Sequence, residues 1–180
     1  MTVPGIDTLR GSSFACSGRV PRLSAAPALQ PGQDLARMQE WPLHSYLELR
    51  ALPASVRSAR LHARDSLHKW DMGYLADTAE LLVSEIVTNA VRASAPSAHQ
   101  QRETGQAPRP QQMRLWLTSD RRSVLIQVWD SNHHHPVPRD VGADAEDGRG
   151  LLLIETLSTQ WGCHVPDGQS GKIVWAVCTQ

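Results

Sequence analysis

The chain is poor in several things that would decide its class at once. Its 180 residues include three cysteines, one phenylalanine and two tyrosines, and eighteen basic residues cancel eighteen acidic ones. No apolar run approaches the roughly 18 residues that cross a bilayer, so no membrane span is expected. Pro4, Gly5, Asp7 and Arg10 break up any apolar stretch at the N-terminus, which argues against a secretory leader. Balanced charge removes the electrostatic case for nucleic acid or an anionic lipid surface. Cys16, Cys163 and Cys178 are odd in number and suit neither a disulfide framework nor a zinc site. The expectation is a reduced, cytoplasmic protein that binds neither nucleic acid nor membrane directly.

What is present is unevenly spread. Residues 1–42 are rich in Pro, Ser, Ala and Arg without apolar periodicity, and read as a disordered extension. The rest, 43–180, reads as one domain. His44 to Arg50 alternates as a strand does. From Pro53 a helical period sets in, with Val56, Ala59, Ala63, Leu67 and Trp70 on one face. A turn at Asp71 to Gly73 leads to a second helix, which ends near Pro96. Ser97 to Gln112 is polar and patternless, a long loop. Met113, Leu115 and Leu117, then Val124, Ile126 and Val128, form two alternating runs around Ser119 to Arg122, an antiparallel hairpin. A second loop, 131–149, precedes a helix at Leu151 to Leu157. A final pair of strands flanks Asp167 to Gly171. Strands gathered after helices, joined by tight turns, predict an α+β sandwich: a mixed, mostly antiparallel sheet with helices on one face.

The second helix carries the residues with chemical potential. Ala79, Val83, Val87 and Ala90 share one side, while Thr78, Leu81, Glu85, Thr88, Asn89 and Arg92 share the other. Glu85 and Asn89 stand one turn apart, so a carboxylate that takes a proton and an amide oxygen that holds Mg²⁺ could serve one task. A plain solvated face fits the same pattern. Asp130 ends the Val124-Ile126-Val128 run in phase with it, so its carboxylate points to the core face. A buried carboxylate needs a donor. Backbone amides or an arginine would serve, and so would a ligand with an exocyclic amine such as adenine. Gly148-Arg149-Gly150 precedes an apolar helix, where backbone N–H groups can meet a phosphate. Gly171-Lys172 lies between two strands and suits a hairpin turn. His133-His134-His135 lacks the partners of a metal site.

Four stretches in order resemble the GHKL ATPases, in the branch of actinobacterial anti-sigma-factor serine kinases. Ser84 to Val91 resembles the N-box, Val128-Trp129-Asp130 with Pro136 the first glycine box, Gly148 to Leu151 the second, and Gly171 to Ala176 the closing strand motif. The resemblance implies a Bergerat-type ATP-binding sandwich with a lid near His133 to Arg149. It implies ATP and Mg²⁺ as cofactors, with Glu85 as the base on an incoming serine hydroxyl and Asn89 on the metal. Asp130 would bind the adenine amine. Gly148, Arg149, Gly150, Gly171 and Lys172 complete the expected nucleotide contacts. The implied partners are a sigma factor and a STAS-domain antagonist that the kinase phosphorylates, and a homodimer is compatible with this. The first box departs from Asp-x-Gly-x-Gly, reading Asp130-Ser131-Asn132-His133-His134, and Ile173 stands where a hydroxyl residue is usual. Those departures suit the alternative, a non-catalytic interaction regulator on the same fold.

Overall fold

The computed structural model describes residues 41–94, 110–132, 149–166 and 170–180. The order of elements is β1 (Leu43–Arg50), α1 (Ala54–Lys69), a 3₁₀ turn (Gly73–Leu75), α2 (Ala76–Ala93), β2 (Gln112–Ser119), β3 (Ser123–Asp130), α3 (Arg149–Leu157), β4 (Gln160–His164) and β5 (Lys172–Thr179). Nearly all of the 1–42 stretch, most of both long loops, the His133–His135 run and Gly148 lie outside the described residues.

Local chemistry accounts for the element ends. Pro53 stands at the start of α1 in helical geometry, and Ser55 Oγ there donates to the Arg50 carbonyl at 2.7 Å, turning the chain from strand into helix. Asp71, with φ 62°, takes the left-handed conformation that ends α1. Asp77 in the first turn of α2 and Arg92 in its last suit the helix dipole. Between β2 and β3, Asp120 Oδ1 accepts the amides of Arg122 at 2.8 Å and Ser123 at 2.6 Å, closing the turn in which Arg121 has φ 73°.

The five strands run in the order β1-β2-β3-β5-β4, and every pairing among the described residues is antiparallel, with no parallel pair of the kind a mixed sheet would show. Period two divides β3 between two environments. Val124, Ile126 and Val128 join the core with Leu82, Val83, Ile86, Val87 and Ala90 of α2, and Leu125 faces the opposite side. On that opposite side Leu125, Trp175 and Val177 form a small second cluster, against which Trp41 packs. The same face carries Tyr46 beside Trp116, ring centroids 5.5 Å apart, and the Arg114 guanidinium 5.0 Å from the Trp129 ring. Between α1 and α2 the half-exposed Arg60 and Arg64 both reach the buried Glu80 carboxylate, Arg60 at 3.5 Å. α2 is thus held from the helix side as well as from the sheet.

Candidate functional site

The expected site residues that the structure describes fall into two groups along the C-terminal half of α2. In the first, Glu85 and Asn89 emerge half-buried from the polar side of α2 and meet the start of α3. Gly150 is what lets α3 come so close. A Cβ on Gly150 would lie 2.6 Å from Glu85 Oε2 and 3.7 Å from Asn89 Nδ2. The acid, the amide and the first turn of a helix thus converge, and the N–H groups at a helix start suit an anion. Arg149 contributes backbone to that turn.

The second group forms where β3 and β5 pair. Asp130 and Lys172 are register partners, so both side chains leave the same face. Asp130 is 1 % exposed and Lys172 3 %. Lys172 Nζ donates to Asp130 Oδ1 at 2.8 Å and to the Asn132 carbonyl at 3.3 Å, while the Asn132 amide also donates to Oδ1, at 2.9 Å. Asp130 Oδ2 is buried, with no hydrogen-bond partner among the described residues. Burial pushes the Asp130 carboxyl above its ordinary value, and Lys172 and the Asn132 amide pull the other way. Gly171 is required by the turn that delivers Lys172: its φ is 93°, and a Cβ there would run into the Asp130 carbonyl oxygen.

Asn132 joins the groups. Its side-chain Nδ2 donates to the carbonyl of Ala93, the last residue of α2. Ala93 is one helical turn beyond Asn89, about 6 Å along the axis. Reasoning from sequence anticipated that Asp130 needs donors and named backbone amides or an arginine; the Asn132 amide is one, and the other is a lysine. The link from Asn132 to Ala93 was not anticipated, since it joins residues 39 apart in the chain. The strand register, once known, would have pointed to Lys172. Among the described residues no group of His, Cys, Asp and Glu is arranged to hold a metal by itself.

An antiparallel five-stranded sheet backed by helices, with an acid–amide helix at a glycine-led helix start and a buried carboxylate beside it, defines a nucleotide-binding sandwich. The model of the histidine kinase-like ATPase domain family matches residues 49–178, and the chain belongs to that family. It is a GHKL-type ATP-binding domain. No curated protein matches the chain.

Proposed function

We propose that this domain is an ATP- and Mg²⁺-dependent protein serine kinase of the anti-sigma-factor type, acting on a STAS-domain antagonist and regulating transcription by partner switching. The observation that carries this reading is the convergence of Glu85 and Asn89 on Gly150.

The residues present fit the cofactor. The unpartnered Oδ2 of Asp130 can accept an exocyclic amine hydrogen, as adenine offers. Gly150 leaves room where backbone can approach a phosphate, and Asn89 offers an uncharged oxygen of the kind Mg²⁺ accepts beside phosphate oxygens. ATP, when bound with Mg²⁺, supplies the phosphoryl group and its charge neutralisation. Asp130 holds the base, and the first turn of α3 presents N–H groups toward the phosphate end. Glu85 takes the proton of the incoming serine hydroxyl. Because phosphoryl transfer is chiefly positioning and charge stabilisation, the chain's task is to keep these groups aligned.

Glu85→Ala is expected to leave MgATP affinity within a few-fold and to slow transfer by about 10²–10⁴, the usual worth of a positioned base. The measurement is radiolabelled phosphate transfer to STAS proteins beside titration calorimetry on the same variants. Equal transfer rates for both forms would remove Glu85 from the role of base. The contact of Asn132 with the Ala93 carbonyl favours a second reading, an interaction module whose base end is tied shut. Absence of ATP binding at millimolar concentration would select it.

A further inference from the structure

The Asp130–Lys172 pair does more than the core requires. Two charges buried together surrender their hydration, and their attraction returns roughly what was lost, so an apolar pair across β3 and β5 would serve stability as well. What distinguishes this pair is how its hydrogen bonds are divided. Oδ1 takes both the Lys172 ammonium at 2.8 Å and the Asn132 amide at 2.9 Å. Lys172 is itself fixed by the Asn132 carbonyl at 3.3 Å. All of the observed bonding falls on one carboxylate oxygen, and Oδ2, also buried, has none among the described residues.

The surroundings leave Lys172 as the charged group that governs Asp130. Met113 faces Asp130 from β2. Arg114, its neighbour, stands on the other side of the sheet over Trp129. From β5 comes Lys172, whose hydrogen bond and charge both pull against the effect of burial on the carboxyl. Without a nearby cation, a carboxyl so deeply buried would favour its protonated form, which is a poorer acceptor.

We propose that Lys172 is a positioning residue for recognition of the base: it engages Asp130 through Oδ1 alone, keeps it a carboxylate, and so leaves Oδ2 as a single aimed acceptor for an exocyclic amine. The inference rests on the nucleotide-binding reading above and adds a residue that acts through Asp130 without touching the base. A lysine suits this role better than an arginine. The guanidinium fork engages both carboxylate oxygens at once and would occupy the one that must stay free.

Two variants with opposite signatures test it, using ATP as the probe in titration calorimetry from pH 5.5 to 9 and carbon-13 NMR of the Asp130 carboxyl without nucleotide. Lys172→Gln keeps a donor and removes the charge. Its ATP affinity should fall about five- to tenfold near neutrality, the difference between a charge-assisted and a neutral hydrogen bond, and recover as pH rises. The midpoint of Asp130 titration should move up. Lys172→Arg keeps the charge, so that midpoint stays near the wild-type one, yet affinity should fall about tenfold at every pH because Oδ2 is taken. A purely structural lysine predicts lower melting temperatures and losses independent of pH in both variants, with no movement of the Asp130 midpoint, and that result overturns the proposal. If Lys172→Gln does not fold, Lys172→Arg decides: wild-type affinity in that variant also overturns it. Failure of the wild type to bind ATP at all would sink the nucleotide reading itself, and this inference with it.

Discussion

The two ends of the site are built from different material. At the proposed phosphate end, Glu85 and Asn89 are half-buried side chains on the polar side of a helix, and they meet α3 through a glycine. At the proposed base end, Asp130 and Lys172 sit inside the sheet, nearly without exposure, bonded to each other and to the backbone of Asn132. One end can be altered without disturbing the fold. The other is part of the fold, so on the proposed reading the bonds that would serve recognition also hold the sheet. The bonds fix the direction of the acceptor, but a base can reach it only after the cover over Asp130 is displaced, and the buried pair itself costs hydration.

Substitutions at each end should separate along this line. Gly171→Ala has the largest expected effect: its left-handed φ and the blocked approach to the Asp130 carbonyl should destabilise the domain by about 3 kcal/mol or more, read from the denaturation midpoint. A stability loss below about 1 kcal/mol would show that the turn relaxes easily and that the base end is less rigid than described. At the other end Gly150→Ala brings a methyl to 2.6 Å from Glu85 Oε2, the free tip of a flexible chain. The carboxylate should swing aside, so phosphate transfer slows by about 10² while unfolding free energy changes by under about 1 kcal/mol. Asn89→Ala should weaken Mg²⁺-dependent nucleotide binding about 10–100-fold, again with stability nearly unchanged, as calorimetry with and without Mg²⁺ would measure.

The smallest effect concerns pH. Asp130 is raised in the folded protein, so folding favours its protonated form. Its contribution to stability is therefore least favourable above the folded value and improves as pH falls through it toward the unfolded value, opposite to a carboxylate whose affinity for protons is lowered by folding. Comparison of wild type with Asp130→Asn across pH 3 to 8 should show this slope in the first and its loss in the second.

That Glu85 and Asn89 share a side was legible in the sequence because both lie on one helix. Period 3.6 is enough to put Glu85 and Asn89 on a shared side, and the apolar residues of β3 are enough to turn Asp130 inward. The order of strands and helices followed from the same periodicities. The pairing of β3 with β5 did not: it depends on which residues stand opposite across the sheet, and a shift of one position would send Lys172 to the other face. Asn132 stands where the first glycine box has its first glycine. Its side chain bonds the end of α2. Glu80 illustrates the same limit, since only the packing of α1 on α2 brings Arg60 and Arg64 to it.

Trp129 lies on the far side of the sheet from the site, yet its indole Nε1 donates to the Ser170 carbonyl at 3.1 Å, within the turn that delivers Gly171 and Lys172. The ring also packs close to Gly171, whose missing Cβ would come 2.9 Å from Nε1. Indole emission responds to the bonding of its N–H, so the molecule carries its own optical gauge of the β3–β5 turn. A ligand that shifts Lys172 should move the Trp129 band, and Trp129→Phe should remove that component of the spectrum while leaving the side of the sheet where Asp130 lies chemically intact.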